Sequence, residues 1–308
     1  MVQNCSQTLT TESSVVLASF NCVSGISTII GNLVILLALY KTPSLKTVSN
    51  YFVGSLACAD LFVGLFANSL YVALSGFVSL QEIQELKNAE TFVWLFTTTV
   101  TTFSLCFVAI DRYVAIIRPL RYPQIITTNR FYLATIWTWI FAVLFAASSF
   151  YLPYGDLPKL WLIGSFVTFF FPLGVLLFCY CRIYLVAKEQ NSRRKRQPTI
   201  HGSSRSVDEL KNTKAALTFA IITGLFAALF LPTLVVNFVG IALQRHCHRM
   251  WLTIAWFWAA AVSFTSSAIN PWIYAIRMAN FKKALKQLLC KTPNSENNIK
   301  PKPSYCKS

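Results

Sequence analysis

Long apolar runs separated by short polar stretches occupy most of this 308-residue chain. Seven runs stand out, at about 15–40, 51–77, 91–111, 131–152, 160–181, 215–243 and 251–276. Each exceeds the ~20 residues a helix needs to cross a bilayer. The runs must be helical, because hydrocarbon offers no partner to an exposed backbone N–H or C=O. Asp60 is the one clear charge in their cores. After the seventh run, Phe281-Lys282-Lys283-Ala284-Leu285-Lys286-Gln287-Leu288-Leu289 sets apolar residues against lysines at helical spacing. Such a helix lies along a membrane surface. The expected fold is therefore an all-α membrane protein, a seven-transmembrane helix bundle with a short amphipathic eighth helix. Residues 1–14 form an N-terminus, 15–276 the transmembrane domain, and 277–308 the amphipathic helix and tail.

Composition agrees with this pattern. The chain is 55% hydrophobic and 12% charged, with mean hydropathy +0.53, whereas a soluble domain carries about 25% charged residues. Its net charge of +16 comes from short clusters between the apolar runs. That placement sets membrane topology and excludes a nucleic-acid partner. With the N-terminus outside, the outer segments hold Lys87, Lys159, Arg245 and Arg249, leaving 23 of 27 basic residues inside. An extracellular N-terminus in the plasma membrane follows. The Asn4-Cys5-Ser6 sequon falls on the side where sugar is added. Residues 186–213, with Arg193-Arg194-Lys195-Arg196, form the one sizeable inner loop, expected to be mobile and solvated.

The polar residues within the runs carry the chemistry. Asp60, in Leu56-Ala57-Cys58-Ala59-Asp60, is a carboxylate at membrane depth, which is costly and marks function. Pro271, in Asn270-Pro271-Trp272-Ile273-Tyr274, removes a backbone bond and bends the seventh helix. Asp111-Arg112-Tyr113 is placed at the inner end of the third helix. A transporter or channel would show hydropathy repeats or rings of charge, and neither is present. A membrane enzyme would need paired carboxylates or a cluster of His, Cys and Ser. The three histidines, His201, His246 and His248, fall between the runs, so no catalytic residue is expected.

In order and depth these motifs resemble those of rhodopsin-like (class A) G-protein-coupled receptors. Gly31-Asn32-Leu33-Val34 matches the first helix, Leu56 to Asp60 the second, Asp111 to Tyr113 the third and Trp139 the fourth. Pro172 with Tyr180 matches the fifth, Pro232 the sixth, and Asn270 to Tyr274 the seventh. The resemblance implies that an outer ligand shifts an inactive–active equilibrium and that helix six swings outward to admit a heterotrimeric G protein. It assigns coupling and switching to Asp111, Arg112, Tyr113, Tyr180, Asn270, Pro271 and Tyr274. Arg112 is held by Asp111 when inactive. It also implies a sodium pocket of Asp60, Thr101, Ser266, Ser267 and Asn270, with sodium as an allosteric modulator and no other cofactor. Cys290 is the implied palmitoylation site.

Departures from the family pattern narrow the choice of ligand. The sixth-helix tryptophan is replaced by Phe230, and the usual cysteine atop helix three is absent, with Lys87 near its place. The second outer loop, Tyr154 to Lys159, is very short and lacks cysteine, so the usual disulfide cannot form; Cys5 and Cys247 are an alternative pair. Helix seven has no retinal lysine, and Trp94 stands where amine receptors hold an aspartate. Among branches, the chain resembles adenosine receptors, and more loosely melanocortin and cannabinoid receptors. The stretches are Ala220 to Ala227, Arg182 to Ala187 and Ile117 to Tyr122, with Asn237 five residues after Pro232. The resemblance leaves two readings open, an adenosine-like receptor and a melanocortin- or lipid-receptor-like one. The expected ligand pocket is Trp94, Leu95, Thr98, Phe230, Leu234, Asn237, Ser263 and Phe264. It contains no acidic side chain, so an uncharged small molecule is expected. Its other partners are the G protein and membrane lipids.

Overall fold

A computed structural model describes residues 9–152, 157–196, 204–242 and 246–289. Eight major helices account for most of them. Helix α1 is Thr11–Lys41 and α2 is Val48–Gly76; α3 is Gln84–Ile117 and α4 is Thr128–Tyr151. Helix α5 runs Leu157–Ser165, widens to a π-turn over Phe166–Phe170 and continues through Phe171–Arg196. Then come α6, Ser204–Ala242, α7, His246–Arg277, and the short α8, Ala279–Leu289. Among the described residues seven helices are long and apolar enough to cross a membrane.

The bundle is sorted inversely to a soluble protein. On α1 the buried positions are Asn21, Ser24, Thr28 and Asn32, three or four residues apart, while Val16, Val23, Ile26, Ile30 and Leu37 are exposed. Spacing of this kind puts each set on one helix face. The apolar face suits lipid and the polar face must find partners inside. Asn32 does so by donating to the Thr28 carbonyl at 2.9 Å and to the Ser267 carbonyl of α7 at 3.2 Å. Gly31, beside it, allows α1 to lie against the bend of α7. A Cβ there would stand 2.8 Å from Cγ of Pro271, inside any real carbon–carbon contact.

Helix α3 is the axis. It packs on α2, α4, α5 and α6, and 78% of its apolar window is buried against 22% for α4. Its threonines remain in this dry centre because they bond their own helix. Thr97 donates to the Val93 carbonyl at 2.7 Å and Thr99 to that of Leu95 at 2.6 Å. Two π-turns interrupt the other helices. The one in α5 ends just before Pro172, whose ring crowds the carbonyl four residues back. The other, Val63–Asn68, follows Asp60 in α2. π-turns often mark functional sites.

Several boundaries differ from the sequence reading. The third span starts at Gln84, so Glu90 belongs to it, and runs on to Ile117, so Asp111-Arg112-Tyr113 does not end the helix. Val114 and Ile116 are buried, and this packing carries the helix onward. Residues 186–213 are not one solvated loop. Helix α5 continues to Arg196 and α6 starts at Ser204, because Lys, Arg, Gln and Glu are good helix formers once an apolar stem has nucleated the helix. His246 and His248 fall in the first turn of α7 rather than in a loop. The amphipathic eighth helix forms, with Phe281 and Ala284 buried and Lys282, Lys283 and Lys286 exposed. Asn4, Cys5 and Cys290 lie outside the described residues, and with them the sequon, the pairing with Cys247 and the lipidation site.

Candidate functional site

At one end of α3, four polar side chains close on one another. Arg112 and Asp111 form an ion pair at 2.7 Å. Ser49, at the start of α2, donates to Oδ2 of Asp111 at 2.6 Å and accepts from Arg112. Tyr122, in the one-turn helix Tyr122–Ile125, donates to Oδ1 of Asp111 at 2.8 Å and lies 3.1 Å from the Ser49 hydroxyl. Both oxygens of a fully buried carboxylate are thereby satisfied, which a buried charge requires. Burial first, and the Asp111 carboxylate second, push the Tyr122 phenol up to about 12. It therefore stays protonated and donating across the physiological range. The Arg112 guanidinium also lies 5.7 Å over the ring of Phe219 on α6. Sequence reasoning named Asp111 and Arg112 but not Ser49 or Tyr122. Those two come from separate connections, and no local spacing ties them to the pair.

The other switch residues cluster beside this lock. The Tyr180 hydroxyl of α5 is 3.4 Å from that of Thr223 on α6. Tyr113 packs on Phe178 at 5.7 Å. Tyr274 is fully buried between Phe219 and Phe281, at 6.1 and 5.9 Å, and its hydroxyl has no partner.

Halfway along the bundle, Asp60 is fully buried. The Asn270 amide donates to its Oδ2 at 2.8 Å. Its Oδ1 has no partner, and neither does the hydroxyl oxygen of buried Thr101. Two orphan oxygens in a dry core are what a small hard cation would satisfy. The Ser266 hydroxyl donates to the Ser263 carbonyl at 2.7 Å, which leaves its oxygen free to accept or to face a cation.

Towards the opposite end lies a small cavity of about 10 Å³, room for about one water. Trp94 and Leu95 of α3 line it, with Trp161 and Ser165 of α5, Phe230, Leu234 and Asn237 of α6, and Trp256 of α7. Thr98, Ser263 and Phe264, expected in this pocket, are not among the lining residues. The Ser263 hydroxyl bonds back to the Ala260 carbonyl at 2.8 Å, and Phe264 packs edge-on to Tyr71 of α2 at 5.0 Å. Helix α5 supplies a wall that sequence spacing did not reveal. Asn237 donates to the Ser165 hydroxyl at 2.9 Å and to the Trp161 carbonyl at 3.4 Å.

Three indoles fill the cavity rim. Trp94 stacks on Trp256 at 5.5 Å, and Trp161 meets Trp256 at 5.0 Å and Trp94 at 5.9 Å. Trp94 also meets Phe230 edge-on at 4.8 Å. The buried indole N–H of Trp94 has no partner. No acidic side chain is among the lining residues, but one is bonded to the lining Trp256. Glu90, one turn before Trp94 on α3, accepts at Oε1 from Tyr71 at 2.7 Å and from Trp256 at 2.8 Å. Asp60 is accordingly not the only core carboxylate.

Comparison with known proteins fits this geometry. The family model described as 7 transmembrane receptor (rhodopsin family) matches residues 31–154 and 153–274. The adenosine receptor A2a of Homo sapiens is 30% identical, over 85% of this chain and 69% of its own length. Trace amine-associated receptor 9 of Mus musculus is 28% identical, over 85% of this chain and 80% of its own. The alpha-1A adrenergic receptor of Oryzias latipes is 26% identical, over 93% and 70%. The chain therefore belongs to the rhodopsin family of seven-transmembrane receptors, a multi-pass membrane receptor and not an enzyme.

Proposed function

We propose that this receptor sits in the plasma membrane with its N-terminus outside and couples an extracellular small molecule to heterotrimeric G proteins. One observation carries the reading: a single helix, α6, touches both the cavity and the lock. Phe230 meets Trp94 at the cavity, and Phe219, eleven residues earlier and about 16 Å along the helix, lies under Arg112. A ligand that enters the cavity must part the indoles, because the space between them holds only about 10 Å³. Trp94 then presses on Phe230. Pro232, two residues further along α6, weakens the helix there, and the far end swings. Phe219 and Thr223 leave Arg112 and Tyr180, and the freed end opens for the G protein. Asp60, Thr101, Ser266, Ser267 and Asn270 would hold sodium in the closed state, an ion that favours one conformation and so shifts the population toward it.

Sequence identity does not choose the ligand, since an adenosine receptor, a trace amine-associated receptor and an adrenergic receptor stand at 26–30%. Of the expected pocket residues, Asn237, tied to the adenosine-receptor resemblance, lines the cavity, whereas Thr98 and Ser263 do not. The geometry favours a receptor of this branch for a small molecule other than adenosine.

The test is nucleotide exchange on purified G proteins by the receptor in nanodiscs. The double variant Ser49→Ala, Tyr122→Phe is expected to raise basal exchange by more than about tenfold, and Arg112→Ala to abolish it at equal receptor concentration. Exchange by Arg112→Ala equal to wild type would overturn the assignment. An epitope tag ahead of Cys5 is expected to label on intact cells; labelling only after permeabilisation would reverse the orientation.

A further inference from the structure

We propose that the mouth of the cavity binds a small organic cation, with Glu90 as its counter-charge and the three indoles as its walls. The proposal rests on the cavity being the receptor's ligand site and adds the chemical class of the ligand.

The carboxylate is the first reason. Glu90 is partly buried at the meeting of α2, α3 and α7, and the neutral Tyr71 hydroxyl and Trp256 indole both donate to its Oε1. None of the described residues donates to its other oxygen or forms an ion pair with it. Lys87, one turn back on the same helix, is exposed and forms no ion pair with Glu90; its charge is the weakest influence on the carboxylate, after burial and the two hydrogen bonds. A glutamine would accept the same two hydrogen bonds with no charge to desolvate, so a tie between helices does not explain an acid here. A carboxylate held by neutral donors in a low-dielectric rim is costly until a cation joins it.

The walls are the second reason. Glu90 and Trp94 are four apart and share a face of α3. Trp256, bonded to Glu90, stacks on Trp94, and Trp161 closes the third side within 6 Å of both ring centres. Indole faces attract a desolvated ammonium. The third reason is the orphan N–H of Trp94, which needs an acceptor. An ammonium group satisfies the carboxylate, and a hydroxyl at the other end of the ligand, as in tyramine, would satisfy the indole as well. The family's usual amine partner lies a turn deeper, where this chain has Trp94, so the counter-charge has moved outward along α3.

The experiment uses the full chain in nanodiscs with phenethylamine, tyramine, tryptamine and the N-acetyl derivative of each. Thermal stability and G-protein nucleotide exchange are read against concentration. At least one free amine is expected to raise Tm in a saturable way, and its N-acetyl form is not. Glu90→Gln, which keeps the bonds from Tyr71 and Trp256, should weaken that amine at least tenfold. Should Glu90→Gln fold poorly, Glu90→Asp keeps the charge and is expected to lose less affinity than Glu90→Ala. The proposal is overturned if no free amine stabilises the wild type, if the N-acetyl forms bind equally, or if Glu90→Gln binds as wild type does. Saturable amine binding that leaves nucleotide exchange unchanged would instead overturn the functional reading and leave the cation site standing.

Discussion

The two ends of α3 are built on opposite plans. Around Arg112 the carboxylate is answered on both oxygens: Asp111 accepts from three side chains, and Arg112 sits on Asp111, Ser49 and the Phe219 ring, with its buried Nε unpaired. Around Trp94 the packing is aromatic, a buried N–H is unanswered, and a carboxylate is met by neutral donors. A buried carboxylate paired with a cation and bonded on both oxygens holds one arrangement, whereas one met only by neutral donors favours a further cation. On the proposed function, the difference puts the hold on the resting state at the lock end and ligand selectivity at the cavity end, with helix α6, in contact with both, between them.

The comparison breaks most severely at Trp94. Trp94→Ala removes the ring that contacts Trp161, Trp256 and Phe230, and a large-to-small change of this kind costs about 3–5 kcal/mol. Tm should fall by more than for any lock variant; a fall smaller than that of Tyr122→Phe would show that the cavity wall is not structural. Next is Tyr122→Phe, which removes one bond to a charged group, worth about 1.5–3 kcal/mol. Here the closed state loses more than the open one, so basal nucleotide exchange should rise about tenfold, and unchanged exchange would remove Tyr122 from the lock.

Between the ends, Asp60→Asn sharpens the comparison by uncoupling them. Sodium should lower basal exchange of the wild type, with a coupling of about 1–3 kcal/mol, and should have no effect on the variant. A variant that keeps wild-type sodium sensitivity would place the ion elsewhere. The smallest effect is expected at Asn237→Ala. Its bonds to Ser165 and the Trp161 carbonyl are interhelical bonds in a membrane, worth about 0.6 kcal/mol on average. A loss of stability several times larger would mean that the α5–α6 wall depends on this one amide.

Much of this molecule was legible in its sequence. Seven apolar runs and a basic amphipathic coda fix the number of helices, because a bilayer leaves the backbone no other solution. Asp60, the Asp111-Arg112 pair, Pro232 and Asn270-Pro271 declared themselves by being polar or helix-breaking where neither is cheap. Trp94 and Asn237 could be placed on a common cavity by counting turns from those markers. The boundaries were less legible. A hydropathy window stops where charge begins, and so the third span was started one residue after Glu90, although the helix runs back to Gln84.

What only the tertiary structure decided is which side chains meet across helices. Ser49 and Tyr122 lie 62 and 11 residues from Asp111, and Trp256 lies 166 from Glu90. Periodicity reports the face a residue occupies on its own helix and carries no information about its neighbour's rotation or depth. Depth assigned the pocket's Ser263 and Phe264 to the cavity, yet the turn of α7 sends Ser263 back to its own backbone and Phe264 against α2. The same turn brings Trp256 under Glu90. The sequence by itself determined a seven-helix receptor with a charged lock at one end of α3. Packing angles among the helices, set by contacts such as Gly31 on Pro271, decided that a carboxylate and three indoles would share the other.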